Sequence, residues 1–367
     1  MSRDEDLRYL ALALSLGRRG QGNTWPNPAV GCVLVREGRI VGRGWTQPGG
    51  RPHAEPMALR QAGPLARGAT AYVSLEPCSH YGQTPPCAKA LIEAGVARVV
   101  APFADLDPRV EGRGFAMLRE AGIEVATGLM TGEAARDLEG FFLNRAQGRP
   151  RITLKLALSL DGKIATATGE SQWITGPEAR REVHAMRMRH DAVMVGAGTA
   201  RIDDPSLTVR GLGAKRQPVR VVVSRRIDLP LLGTLARSAR EVPVWICHGR
   251  DADGKLVSAW KELGATLIPC ALQGRQLDIL SVMQGLGSHG LTRVFCEGGG
   301  ALAATLLGAD LVDELIVMSA GVLLGAEGRP GLGAMGIDKL SEAPRLTLAE
   351  ERRIGPDMMT RWTRPTA

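Results

Sequence analysis

The sequence predicts two α/β domains in tandem: an N-terminal three-layer domain over residues 1–147 and a second α/β domain over residues 148–367. Three observations carry that expectation. Strand-like apolar runs alternate with helical ones along the chain, the pattern of a sheet covered by helices. The alternation is interrupted at Arg145–Arg151, a polar segment holding Gly148 and Pro150, which reads as a linker. A length of 367 residues exceeds one ordinary domain and suits two.

The elements follow in order. Leu7, Leu10, Ala11 and Leu14 share one face of a helix from about Asp4 to Gly17, and Ser2 with Glu5 forms a capping box. Ala29–Val35 and Arg39–Trp45 are strands joined by the turn pair Glu37-Gly38. A helix from His53 to Ala62 comes next, then a strand over Thr70–Leu75 and a helix over Pro86–Ala94. Strands over Arg98–Ala101 and Ile123–Ala126 and helices over Gly114–Ala121 and Gly132–Phe142 complete the first half. The second half has strands at Ile152–Leu158, Ala192–Val195, Val219–Val223, Val244–Cys247, Ala265–Ile268, Arg293–Cys296 and Glu314–Met318. Its helices are expected at Pro177–Met188, Leu277–Leu286 and Ala301–Leu307. The tail after Pro344 is polar and alternating and yields no element.

Hydrophobic residues make up 44% and charged residues 23%, the balance of a globular chain rather than a disordered one. No apolar run is long enough to span a bilayer, and the N-terminus lacks the basic-then-apolar order of a signal peptide. A cytoplasmic protein with no membrane partner is expected. The net charge of +8 is compatible with an anionic partner, either nucleic acid or a phosphorylated small molecule, and equally with an Arg-rich composition. Two features argue against nucleic acid: there is no basic run, and the 4% aromatic content leaves few surfaces for stacking bases. Cys32, Cys247, Cys270 and Cys296 sit in apolar runs and are expected in the core. Cys78 and Cys87 instead sit in Pro-rich polar loops.

Those two cysteines belong to the first constellation: His53-Ala54-Glu55, then Glu76-Pro77-Cys78, then Pro85-Pro86-Cys87. One imidazole and two thiolates suit Zn2+, and three protein ligands leave a fourth position for water, the arrangement of a catalytic site. The metal lowers the pKa of that water from 15.7 to about 7. Glu55, two residues after His53, need not bind the metal and is free to carry the proton to the ring nitrogen and the departing amine. His80, between the cysteines, faces either the metal as a fourth ligand or the substrate, and the substrate is the better reading. The general zinc-deaminase signature has two residues between its cysteines, whereas eight intervene here.

That longer loop, Ser79 to Pro86, together with Asn27-Pro28-Ala29-Val30-Gly31, resembles the deaminase half of the bifunctional riboflavin biosynthesis deaminase/reductase family. The resemblance implies a cytidine-deaminase-like fold, with Asn27 and His80 facing substrate. Gln83 stands where the family often has a basic residue, and Pro56 follows Glu55 in a first helical turn that tolerates it.

The second constellation begins with Cys296-Glu297-Gly298-Gly299-Gly300, between a strand and the helix from Ala301. Backbone N–H groups there are placed to meet a pyrophosphate, although the spacing is not the Rossmann fingerprint. Around it stand Ser159-Leu160-Asp161-Gly162-Lys163, Ser171-Gln172-Trp173-Ile174-Thr175, His184-Ala185-Met186-Arg187 and the segment from Asp203 to Arg210. Two arginines, a serine and a lysine suffice for one phosphate monoester. These segments resemble the reductase half of the same family, whose fold is dihydrofolate-reductase-like, and the likeness runs from about Asp6 to Arg361. It implies that Ser171, Arg187, Leu207, Arg210 and Glu297 face a ribosyl phosphate. It also implies that Ala157, Trp173, Thr199, Asp203, Ser224, Gly299, Gly300 and Ala301 face NADPH; charge alone suggests that Ser224, just before Arg225-Arg226, meets its 2′-phosphate. A homo-oligomer, dimer or tetramer, is expected with it. Two rival readings are a zinc-dependent RNA base deaminase with an accessory domain and a non-catalytic zinc module. The first lacks the aromatic platforms and basic arm it needs, and the second has no use for Glu55.

Overall fold

The computed structural model describes residues 2–81, 85–107 and 111–365. The chain divides into two compact units, Met1–Gln147 and Gly148–Ala367.

In the first unit α1 (Arg3–Arg18) precedes the hairpin β1 (Gly31–Arg36) and β2 (Arg39–Trp45). Then come α2 (Ala54–Ala62), β3 (Thr70–Val73), α3 (Cys87–Glu93), β4 (Arg98–Val100), α4 (Arg113–Glu120), β5 (Glu124–Ala126) and α5 (Thr131–Gln147). The capping box forms: Ser2 Oγ accepts from the Glu5 N–H and the Glu5 carboxylate accepts from the Ser2 N–H. The strand order is β2-β1-β3-β4-β5, with β1 antiparallel to both neighbours and the rest parallel. Side-chain alternation splits the core in two. Cys32, Leu34, Ala71 and Val73 pack with Ala54, Ala58 and Leu91 on one face, and Val33, Val35, Tyr72 and Val100 with Tyr9, Leu10 and Ala13 on the other. Helices therefore cover both faces of the sheet, as predicted. A Cβ on Gly44 would lie 2.1 Å from Ala54 O, so only glycine lets β2 approach the start of α2 this closely. That contact seats the helix that carries Glu55.

The second unit opens with β6 (Arg151–Ser159) and β7 (Lys163–Ala165). It continues through α6 (Pro177–Met188), β8 (Ala192–Gly196), α7 (Ala197–Asp203), β9 (Val219–Val223), α8 (Thr234–Arg237), β10 (Val244–Gly249) and α9 (Gly254–Glu262). Then follow β11 (Thr266–Cys270), the short pair β12 (Leu272–Gln273) and β13 (Gln276–Leu277), and α10 (Ile279–Ser288). The unit closes with β14 (Arg293–Cys296), α11 (Gly300–Gly308), β15 (Glu314–Ala320), β16 (Arg329–Pro330), β17 (Thr347–Ile354) and β18 (Asp357–Thr363). Its main sheet runs β11-β10-β9-β8-β14-β6-β15-β18-β17, parallel as far as β15 and antiparallel beyond. The carboxyl ends of β8, β14 and β6 lie side by side, the place where open α/β sheets hold ligands. Cys32, Cys247, Cys270 and Cys296 are buried.

Two expectations change. The linker narrows to residues 148–150, because α5 runs to Gln147 and β6 starts at Arg151. The tail forms a β-hairpin; its β18 pairs with β15, and that ladder rather than an apolar alternation holds it, since β17 is largely exposed.

A buried histidine gives this unit a pH dependence. His190 Nδ1–H donates to Met186 O at 2.7 Å, and burial, aided by the Arg293 charge, pushes its pKa from 6.5 down to about 3. The unfolded chain then takes up a proton that the folded one refuses. This contribution to stability is therefore lost as pH falls below about 6.5, by on the order of 2 kcal/mol near pH 4.5. Unfolding followed between those pH values should decline less steeply in a His190→Gln variant. Equal slopes would contradict the assignment.

Candidate active sites

The first site forms where α2 and α3 begin. His53 is the N-cap of α2, Glu55 lies in its first turn, and Cys87 opens α3. His53 Nδ1 lies 3.7 Å from Cys78 Sγ and 3.4 Å from Cys87 Sγ, and the Cys87 N–H donates to Cys78 Sγ at 3.3 Å. A tetrahedral zinc with ordinary bond lengths separates a nitrogen and a sulfur ligand by about 3.6 Å, so the donor set fits zinc in both kind and spacing. Among the described residues no other His, Cys, Asp or Glu joins this cluster. His80 stays outside it and lines the adjoining cavity with a buried, unpartnered Nδ1.

The two thiols compete for one proton. The Cys87 thiol donating to Cys78, with help from the His53 ring and the Cys87 N–H, lowers Cys78 to about 4 and leaves Cys87 raised. Its hydrogen bond to Cys78 raises the His53 pKa. Glu55 is almost fully buried. Burial raises its pKa and the Cys78 charge adds to the rise, while His53 opposes both. A carboxyl so placed exchanges a proton near neutral pH more readily than a solvated one. Pro56 sits in the first turn of α2, where no backbone donor is needed. Gln83 lies outside the described residues.

A cavity that opens to solvent adjoins this cluster. Asn27 lines it and donates through Nδ2 to Gly50 O. The sequence reading missed Arg51, Asp105, Asp107, Phe141 and Arg145, which also line it. The last four come from the loop after β4 and from α5, segments with no motif of their own. Glu76 explains how that loop is held. Its two carboxylate oxygens accept the backbone N–H groups of Asp105, Gly112 and Phe115 at 2.8, 2.9 and 3.1 Å.

In the second unit, the Arg187 guanidinium forks onto the Glu297 carboxylate and also donates to Thr208 O at 2.8 Å. The Arg210 N–H donates to His184 Nδ1. Lys155, from the middle of β6, completes the cluster: burial lowers its pKa against the pull of Glu297. Burial disfavours the Glu297 charge, yet Arg187 holds its carboxyl below the usual range. The structure thus joins Arg187, Arg210 and Glu297. Lys155 and His184 are the additions, and a lysine inside the apolar run Ile152–Leu158 was the signal available for the first.

Gly299 caps α11 with no side-chain acceptor on the first-turn N–H groups, which leaves them available to an anion. Thr199 Oγ1 stands 3.2 Å from where a Gly299 Cβ would be, and a Gly300 Cβ would meet Pro330 O at 3.1 Å. This close-packed cradle fits the pyrophosphate of a nicotinamide dinucleotide. Ala301 is exposed on the first turn, and Ala157 is half-buried on β6 opposite Met318. Trp173 is exposed, with Arg180 4.6 Å over its ring, and Ser171 is half-buried nearby in the chain. Asp203 is exposed as a residue, but its carboxyl is partly desolvated, which raises its pKa. Ser224 Oγ donates to Asp228. Leu207 packs its side chain in the core at φ +53°, so only its backbone is left to meet a ligand.

A family model described as RibD C-terminal domain matches residues 150–360, and one described as cytidine and deoxycytidylate deaminase zinc-binding region matches residues 3–102. The chain is 44% identical to the riboflavin biosynthesis protein RibD of Escherichia coli (strain K12), over 96% of this chain and 98% of that one. It is 39% identical to that of Aquifex aeolicus, over 98% of each. Among solved structures, Acinetobacter baumannii RibD, form 1, superposes with a TM-score of 0.88 at 37% identity, covering 99% of both chains. A diaminohydroxyphosphoribosylaminopyrimidine deaminase/5-amino-6-(5-phosphoribosylamino)uracil reductase from Thermotoga maritima gives 0.86 at 31% identity, also over 99% of both.

Proposed function

Since the chain belongs to the RibD family of bifunctional riboflavin biosynthesis enzymes, we propose that its two units act in succession on one phosphorylated pyrimidine. The chain is a deaminase and a reductase. In this reading residues 1–147 remove the ring amine of 2,5-diamino-6-ribosylamino-4(3H)-pyrimidinone 5′-phosphate as ammonia. Residues 148–367 then reduce the ribosyl group of 5-amino-6-(5-phosphoribosylamino)uracil to ribityl.

The observation that carries the first step is the three-ligand cluster with a buried carboxyl beside it. Zinc held by His53, Cys78 and Cys87 supplies Lewis-acid activation of water. Glu55 takes one proton from the attacking water and gives it to the ring nitrogen, then carries the second, released from the new C–OH as the carbonyl forms, to the amine that leaves as ammonia. Asn27 and His80 orient the ring. Incubating the protein with the diaminopyrimidine ribotide while following ammonia and NADPH absorbance together tests both steps. Absence of both signals would refute the reading.

For the second step NADPH supplies the hydride. Arg187, Arg210 and Ser171 hold the substrate phosphate and ribose, Glu297 keeps Arg187 in place, and the backbone of Leu207 closes the pocket. Ala157, Trp173, Thr199, Asp203 and residues 299–301 hold the cofactor. Arg225 is bound to Asp251 Oδ2 and Arg275 O, both at 2.6 Å, whereas Arg226 is exposed and forms no ion pair among the described residues. Arg226 is therefore the better partner for the 2′-phosphate beside Ser224. Arg226→Ala should lower kcat/KM for NADPH by about 10- to 100-fold, the worth of one charge-assisted contact, with NADH unaffected. If the Arg225→Ala/Arg226→Ala double variant kept its discrimination, the 2′-phosphate would bind elsewhere.

No helix among the described residues is long and apolar enough to cross a membrane. The reading extends to a cytoplasmic homo-oligomer, dimer or tetramer, which light scattering on the purified protein tests; a monomeric mass would remove the oligomer.

A further inference from the structure

The cavity beside the metal ligands holds one acidic group that the two-step reading leaves without a task. Asp105 lines it yet is only 6% exposed. Its backbone is pinned by Glu76, and its Oδ1 accepts the Asp107 N–H at 2.9 Å. Among the described residues no donor reaches Oδ2. The other acidic groups near it are already engaged. Glu76 accepts three backbone donors, and the Asp107 carboxylate lies 3.6 Å from Arg145 Nε. Burial raises the Asp105 pKa to about 6, with Asp107 and Glu76 adding to the rise and Arg145 opposing it. Near neutral pH it is still mostly a carboxylate. Asp105 lines the cavity with an oxygen that no protein donor among the described residues uses, so a donor on a bound ligand has an acceptor to meet there.

The chemistry of the ring identifies the donor. In a six-membered pyrimidine the carbon that loses ammonia, C2, lies directly across from C5. With C2 at the metal ligands, the far edge presents the substituents of C5 and C6. In the diaminopyrimidine these are an amino group and a secondary amine, both hydrogen-bond donors. A cytosine-type ring reacts at C4, which lies across from the sugar-bearing N1, and the atoms flanking N1 offer a C–H and a carbonyl but no amino donor.

We propose that Asp105 is a specificity-determining residue of the deaminase site, its carboxylate accepting a hydrogen bond from the 5-amino group, on the ring carbon opposite the reacting one. This rests on the reading of that cavity as a pyrimidine deaminase site. Such a carboxylate selects for amino-substituted rings, because a ring without the donor leaves it buried and unpaired.

The test uses the full-length, zinc-loaded protein and two substrates: the diaminopyrimidine ribotide and its analogue with hydrogen in place of the 5-amino group. Asp105→Asn should lower kcat/KM for ammonia release from the ribotide by about 10- to 100-fold and leave the analogue nearly unchanged. The preference between the two then collapses toward unity. Zinc content and unfolding midpoint confirm an intact fold. Asp105→Ser, which keeps an oxygen for the Asp107 N–H, gives the same readout if Asn disturbs the loop. Equal losses on both substrates would mean a purely structural role and overturn the proposal, as would an unchanged preference. No ammonia from the ribotide with the unsubstituted protein would overturn the deaminase reading itself, and Asp105's role with it.

Discussion

Replacing Glu55 with Gln should lower ammonia release from the diaminopyrimidine ribotide by about 10²- to 10⁴-fold, the range over which a positioned acid–base group contributes. Gln has the same shape, so the buried pocket at the start of α2 stays filled. It cannot carry a proton from water to the ring nitrogen. The proposed metal ligands, His53, Cys78 and Cys87, are unaltered, so zinc content by elemental analysis should equal that of the parent. NADPH oxidation with the deaminated intermediate should also be unaffected, because the groups assigned to it lie in residues 148–367. This split is what separates a proton shuttle from a residue that merely supports the fold. Loss of zinc together with activity would assign Glu55 to the metal site, and persistent ammonia release would remove it from the mechanism altogether.

Glu55 was legible in the sequence for a physical reason that does not extend to Asp105. Metal ligands and their acid–base partner sit at helix starts after strands, so their spacing along the chain reflects local geometry. Asp105 and Arg145 reach the cavity from a loop and a helix far along the chain, and only the Glu76 clamp brings that loop in. Strands with a buried face were mostly legible, whether buried on both sides as in β3 or on one as in β15, and strands with almost no burial were not. Strand β17 is the clearest case: Thr347–Ile354 is mostly exposed, and its place is set by the β18 ladder rather than by its own pattern. Leu207 shows another limit: its side chain turns into the core, leaving the assigned contact to its backbone, and nothing in the local sequence announces the left-handed conformation that does this.

Arg187 offers the sharpest test of the reductase site, because a pair this buried is structural and functional at once. The side chains of Arg187 and Glu297 are 12% and 13% exposed. Arg187→Met leaves the Glu297 carboxylate buried with Lys155 as its remaining cation, and breaking a buried pair in this way costs about 3–5 kcal/mol. Unfolding of the second unit should shift accordingly, and NADPH oxidation should fall to background while ammonia release continues. Lost stability alone would account for that fall, so the single variant does not decide the role. The Arg187→Met/Glu297→Leu double variant does, because it removes the unpaired carboxylate, and Lys155, whose pKa burial already lowers, sheds its proton rather than stay charged, so most of the stability returns. If Arg187 holds the substrate phosphate, the double variant folds like the parent, oxidises no NADPH and shows no saturable binding of the deaminated ribotide. Recovery of activity along with stability would make the pair a structural clasp and shift the phosphate to Arg210 and Lys155.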